Sequence, residues 1–382
     1  MDFASALSGH PVTSQALGEV VGSVLEQIGE RPDLVVVTVT RPHAGALEDI
    51  LSTIDAVLHP LGLIGCAAES VLGRGTEVEE LPAISLWAGR VGPLVPLALS
   101  ATRLGNDDWQ FDGLPGSIGF TPSALLVLAD PFTFPGAEFL DHLASVHPGL
   151  PVVGGNASGA SGPGGTRLGL GTQVLHAGAV GVLLGPATEV VPVVSQGCRT
   201  FGRLLTVTRV ERNLVQEVAG RPAMECMVDE IAQHLDRADI AGIEGNGILL
   251  GRCIDPRILD PGPGDLLLRP LIGVERATGA LAVEGRIPLG SVVQFAVRDA
   301  RTATADLTAS LAGRQADAAL LFTCSGRGSR LFDVANHDAA ALQRSLGPVP
   351  LGGMFAAGEF GPVGNVNFVH SFAASMALFR AR

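Results

Sequence analysis

HPLGLIGCAAES (59–70), HPGLPVVGGNAS (147–158) and LGPVPLGGMFAAGE (346–359) are three stretches built on one plan. Each follows a run with helical apolar spacing, turns through proline, enters a short apolar strand and ends on glycine and alanine. The preceding runs are Gly45 to Leu58, Ala137 to Val146 and Phe332 to Leu346, and the strands expected after them are Leu61 to Cys66, Pro151 to Gly155 and Val349 to Gly353. Glycine at a strand end lets backbone approach a neighbour or a ligand closely. Two readings of the triplication stand side by side. One is an internally duplicated scaffold; the other is the frequency of Pro-x-x-Gly turns in a chain with 50 glycines and 25 prolines.

Working outward, β-branched or apolar strands are expected at Leu34 to Thr40, Ala83 to Trp87, Leu94 to Leu99, Ala124 to Ala129 and Ala318 to Thr323, and a helix over Ala16 to Ile28. Val174 to Leu184 and Val190 to Ser195 read as a hairpin around Gly185-Pro186. Past Gly197 the pattern changes, with strands at Leu204 to Val210, Leu214 to Val218 and near Ile248 and Val292. Helices are expected from Pro222 to about Leu235 and around Ala300 to Leu311. The fold class is therefore α/β to α+β, with mixed β-sheets covered by helices. The 382 residues suggest two domains, 1–200 and 201–382.

Composition excludes much chemistry. All 25 basic residues are arginine, and tyrosine is absent. Without lysine there is no Walker P-loop, no protein-kinase phosphate lysine and no pyridoxal Schiff base. A net charge of −13 argues against nucleic acid as a partner. The uncharged stretch Leu168 to Thr188 is long enough to cross a bilayer, but its glycines, His176 and Pro186 make buried strands the better reading. The start Met1-Asp2-Phe3-Ala4 lacks a secretory pattern, and Cys66, Cys198, Cys226, Cys253 and Cys324 form no C-x-x-C pair. A cytoplasmic protein with reduced thiols, no membrane association, no metal and no cofactor is expected. The sequence also contains neither H-E-x-x-H nor G-x-G-x-x-G.

The chain resembles the FIST family, built of a FIST_N and a FIST_C domain, along nearly its whole length. The resemblance is carried by GLIGCAAESVLGRGTEVEELPAISLWAG (62–89), PVVGGNASG (151–159), VSQGCRTFG (194–202), GILLGRCID (247–255), LLFTCSGRGSRLFDVANHD (320–338) and PVPLGGMFAAGEFGPVGNVNFVHSF (348–372). It implies a 1–200 FIST_N-like and a 201–382 FIST_C-like domain, cytoplasmic signal transduction, and binding of a small ligand such as an amino acid. Because the two halves occupy the chain, it also implies output to a signalling partner in trans.

The candidate ligand residues lie where strands end. Cys324, Ser325, Gly326 and Arg327 form a small-residue turn that can present backbone N–H groups beside a guanidinium, a receptor for carboxylate or phosphate; the alternative is a tight turn with Arg327 paired to a structural carboxylate. Gly352, Gly353, Gly358 and Glu359 form a second candidate wall, with Glu359 placed to accept an amine. Glu69 and Asn156, at comparable points of the first two bends, are added, although loop capping suits them equally. Together one arginine and one glutamate would suit a zwitterion. Cys324 and Arg330 also satisfy C-x5-R, but Thr323 and Leu331 depart from the cysteine-phosphatase pattern. A thiol hydrolase pairing Cys324 with His337 or His370, and a ligand-free interaction scaffold, remain the alternatives to a sensor.

Overall fold

The computed structural model describes residues 2–105, 108–258, 260–262 and 264–381. The chain forms two compact units: Met1–Val194, Ser310–Val369 and Ala373–Arg382 make the larger, and Ser195–Ala309 with His370–Phe372 the smaller. The expected 201–382 half is thus not one compact body. Its last third returns to the larger unit, because the strands after residue 317 hydrogen-bond into sheets begun by the N-terminal residues.

Mixed sheets covered by helices make up the larger unit, as the α/β to α+β reading expected. Three β-α-β modules organise it. In the first, Leu34–Thr40 lies parallel to Gly62–Ala68 with helix Leu47–Leu58 between them in sequence; in the second, Ala124–Ala129 is parallel to Val152–Asn156 with helix Gly136–Val146. In the third, Ala318–Cys324 is parallel to Leu351–Ala356 with helix His337–Leu346. Apolar residues at three- and four-residue spacing bind each helix to its sheet, as with Leu47, Ile50, Leu51, Ile54 and Leu58 in the first.

The triplication seen in the sequence is present in the fold. In each module the first strand carries an antiparallel neighbour on its other side: Ile84–Gly89, Ala179–Leu184 and Ala374–Ala381 respectively. One glycine in each second strand faces a residue of the first, in the pairs Val37 with Gly65, Val127 with Gly154 and Leu321 with Gly353. A Cβ added at these glycines would lie 2.4, 1.9 and 1.9 Å from the opposite carbonyl oxygen, so only glycine fits. This register corrects one expectation. Counted from the equivalent glycines, Glu69 is four residues on and Asn156 two, so they are not comparable positions.

After each bend the chain leaves its own sheet and joins the next module. Ser70–Gly73, following the first bend, pairs with Leu351–Ala356; Leu168–Leu170, following the second, pairs with Gly62–Ala68; Glu359–Val363, following the third, pairs with Val152–Asn156. The exchange is cyclic and brings the three strand ends together. It also replaces the expected hairpin around Gly185-Pro186: Ala179–Leu184 pairs with Ala124–Ala129 and Leu94–Arg103, while Thr188–Ser195 joins a different sheet.

The smaller unit is an antiparallel ladder that closes on itself. Cys198–Glu211 pairs with Val292–Arg298, then follow Ile248–Cys253, Leu266–Glu275, Ala280–Val283 and Leu214–Val218, which returns to Cys198–Glu211. Closure removes exposed sheet edges. Phe201, Leu205, Val215, Leu250, Leu281 and Phe295 fill one core, and helix Ala223–His234 contributes Ala223 and Cys226 to it. No helix among the described residues is long and apolar enough to cross a membrane.

Candidate functional site

The carboxyl ends of the module strands are where α/β proteins place ligands, and here the cyclic exchange stitches them together. Gly159 donates its N–H to the Ala67 carbonyl at 3.2 Å, and Ala357 donates to the Asn156 carbonyl at 3.0 Å. Ser158 bridges all three bends: its hydroxyl accepts the Glu69 N–H at 2.9 Å and donates to the Phe355 carbonyl at 2.5 Å. Sequence reasoning missed Ser158. The repeated ending of the first two stretches on serine was the only signal for it, and a hydroxyl that bridges three chain segments has no local pattern.

Most of the Cys324 to Arg330 turn is held from within. Arg327 is fully buried, and its Nε and Nη2 donate to Asp338 Oδ2 and Oδ1 at 2.7 and 2.8 Å. Asp338, itself 1% exposed, also accepts from Thr323 Oγ1 at 2.6 Å and lies 2.8 Å from His337 Nδ1. Phe332 stacks on the His337 ring at 3.4 Å and lies 5.2 Å from the Arg327 guanidinium carbon. Burial pushes the Asp338 carboxyl up, but Arg327, His337 and Thr323 outweigh it and hold the group well below the usual carboxylate range. The fork that Arg327 was expected to offer a ligand is therefore engaged by Asp338, which corrects its assignment as an open receptor.

Other expected positions are also structural. Gly352 lies under Trp87, where an added Cβ would meet the Trp87 Cβ at 2.8 Å, and Gly353 is the close-approach glycine of the third module. Arg330, about half exposed, pairs with Glu69 and Glu80 at 2.6 and 2.7 Å and donates to the Ser325 carbonyl at 3.0 Å. Glu69 is thus an ion-pair partner. Two carboxylates beside Arg330 also make the C-x5-R segment a poor phosphate cradle, since like charges repel. His337, one of the two histidines considered as a base for Cys324, has its Nδ1 on Asp338 and its ring face on Phe332; His370 belongs to the smaller unit.

The remaining residues gather around the turn 356–358. Ser325 donates its N–H to the Ala356 carbonyl at 2.9 Å, Gly326 donates to the Cys324 sulfur at 3.4 Å, and Asn156 accepts from Ala357 and donates its N–H to the Gly358 carbonyl. Glu359 opens the exchanged strand and is fully buried. One carboxyl oxygen accepts the Ala373 N–H at 3.0 Å, and the Cys324 thiol lies within hydrogen-bonding reach of the group. Burial drives this carboxyl well above the usual range; the Ala373 N–H, Arg327 and Cys324 offset only part of that effect. Burial thus favours the neutral acid, which can donate a hydrogen bond, over the anion expected to accept an amine.

Three buried polar atoms flank this turn without a nitrogen or oxygen partner: Ser325 Oγ, Asn156 Oδ1 and Glu359 Oε1. Buried polar atoms are ordinarily hydrogen-bonded, and leaving one unpaired costs about 1–3 kcal/mol. Cys66, also close to the bends, lies 3.2 Å from the Met354 sulfur; burial pushes its thiol up to about 12, so it behaves as a small apolar group. Among the described residues no group of three or more His, Cys, Asp or Glu side chains is placed to hold a metal ion.

Comparison with known proteins agrees with this architecture. A FIST N domain matches residues 33–221 and a FIST C domain residues 219–362, so the chain belongs to the FIST family, whose domains are sensory modules of signal transduction. The junction of the two family domains falls within the smaller unit, so family domains and compact units divide the chain differently. The chain is 38% identical over 381 residues to uncharacterized protein Mb0898c of Mycobacterium bovis, covering 97% of this chain and 96% of that protein. It is 36% identical over 390 residues to uncharacterized protein MT0656 of Mycobacterium tuberculosis, covering 99% of this chain and 100% of that one.

Proposed function

We propose that this FIST protein is a cytoplasmic sensor that binds a small polar metabolite at the turn 356–358 of the larger unit and signals to a partner protein in trans. The observation that carries the reading is the trio of buried, unpartnered polar atoms on Ser325, Asn156 and Glu359. A ligand that donates to Asn156 Oδ1, accepts from the neutral Glu359 acid and exchanges a hydrogen bond with the Ser325 hydroxyl would satisfy all three at once. Amino acids remain the class to test first, with the ammonium group on Asn156 and a carboxylate oxygen on protonated Glu359. Recognition would use neutral groups, because Arg327 is engaged by Asp338. Binding would favour one of two conformations, and the partner would read the difference.

A thermal-shift panel of amino acids and organic acids on the full chain tests the proposal. A true ligand at one hundred times its dissociation constant stabilises the fold by about 2.7 kcal/mol. Ser325→Ala should weaken that ligand by about tenfold through loss of one hydrogen bond. If no compound raises the transition, or if the binding compound is indifferent to both Ser325→Ala and Asn156→Leu, the site is not at this turn.

A further inference from the structure

The smaller unit contains a cavity of its own, of about 220 Å³. Leu266 and Leu268, from the strand Leu266–Glu275 of the closed ladder, give it apolar lining. Gln196, Cys198, Thr200 and Thr302 surround it with an amide, a thiol and two hydroxyl groups. Of the five cysteines, all among the described residues, Cys198 alone is half-buried; the other four are buried. The cavity is larger than the engineered apolar cavity of about 150 Å³ that holds benzene, so a single ring fits.

Charge decides what kind of ring. Arg199 is the one cationic lining residue, and its guanidinium pairs with Asp239 and lies 3.9 Å from Asp299. Asp306, just behind the wall, accepts from the Ser195 hydroxyl and the Gln196 N–H at 2.7 and 2.9 Å. The one guanidinium that lines the cavity is therefore already engaged by carboxylates of the chain, and an entering anion would have to compete with Asp239 and Asp299 for it. Helix Ala300–Leu311 starts at this rim, but Asp299 already accepts the Thr302 N–H at 2.6 Å, so its first turn is satisfied by a carboxylate of the chain itself.

We infer that this cavity is a second ligand site, separate from the turn 356–358, and that it takes a compact uncharged molecule with one apolar face and one hydrogen-bonding edge. Cys198 reports on its occupancy.

Phenol and benzoate are matched probes for the test: both have one ring, and only benzoate is charged. The full chain is alkylated with iodoacetamide in the presence of either, and Cys198 modification is followed by peptide mass spectrometry. Phenol at ten times its dissociation constant should slow Cys198 alkylation about tenfold, whereas benzoate at equal concentration should leave the rate unchanged. Thr200→Trp, which fills the cavity, should abolish phenol protection; should that variant misfold by circular dichroism, Thr302→Val should raise the phenol concentration needed for protection. Alkylation of buried Cys324 in the same digest separates local protection from unfolding, and Ser325→Ala should change nothing here, which keeps failure of this site distinct from failure of the other. Unaltered Cys198 labelling with phenol, or equal protection by benzoate, overturns the inference.

Discussion

Two fully buried carboxyls act on Arg327 from neighbouring segments, and they meet burial in opposite ways. Asp338 is surrounded by donors from Thr323, Arg327 and His337, and it stays charged. Glu359 has backbone N–H groups from Ala373 and Gly358 and a weak thiol, and burial shifts it towards the neutral acid. The same guanidinium is bonded to the first and only sensed electrostatically by the second. Direct bonding to the guanidinium, which adds its charge to the bonds from His337 and Thr323, outweighs burial at Asp338, whereas the more distant field of Arg327 does not outweigh it at Glu359. On the Asp338 side this produces a closed lock that fixes the turn; on the Glu359 side it leaves an acid with unused hydrogen-bonding capacity.

The largest expected effect breaks the lock. Arg327→Met leaves a buried carboxylate without its cation and should cost about 3–5 kcal/mol in urea unfolding. Adding Asp338→Leu should recover most of that loss, because replacing a buried pair by apolar groups is often neutral. Asp338 has a depressed folded pKa, so its stabilising contribution is complete above the unfolded value of 3.8 and is lost as pH falls through the folded one. The double variant should therefore lack part of the parent's acid sensitivity.

Glu359→Gln tests the other side. Because the folded pKa is raised above the unfolded 4.5, the parent loses stability as pH rises from that value towards the folded one. The glutamine variant should match the parent in acid and exceed it increasingly as pH rises above 4.5. Parallel pH profiles for the two proteins would show that Glu359 is ionised in the fold.

Glu77 sharpens the comparison with an intermediate case. It is 9% exposed, its Oε1 accepts the Ala339 N–H at 2.9 Å, and burial, followed by repulsion from Asp338, raises its pKa to about 7. Backbone donors from Ala339 and Asp338 are thus insufficient to offset burial beside a charged neighbour. Glu77→Gln should remove a stability loss of at most about 3 kcal/mol between pH 4.5 and about 7. The smallest effect belongs to Arg330→Ala, which deletes two partly exposed pairs; the cost should be below about 1 kcal/mol and should shrink in high salt.

Much of the fold was legible because apolar periodicity is local. Leu34–Thr40 and helix Ala300–Leu311 match the expected ranges. Phe332 to Leu346 was read as one helix, yet the helix begins at His337. Phe332 is drawn instead onto the His337 ring, a tertiary contact that periodicity does not encode. Leu266–Glu275 escaped as a strand because Pro270 and the polar turn before it mask the apolar run; the proline sits opposite Leu249 within the ladder. The candidate residues were picked in the right neighbourhood, at strand ends, but their roles were not readable. The carboxylate that takes Arg327 lies eleven residues further on at a helix start, and the N–H that meets Glu359 belongs to Ala373.

By itself the sequence determined the absence of lysine and tyrosine chemistry and membership of the FIST family, and it displayed three similar stretches without deciding whether they are repeats, because composition and family motifs are written along the chain. Tertiary structure decided the rest. Only the cyclic exchange of strands shows why three glycine bends meet, and only packing assigns a charge to each buried carboxyl. The physical reason is that protonation and hydrogen-bond satisfaction depend on which groups arrive from other segments, and those groups are set by the fold rather than by neighbours in sequence.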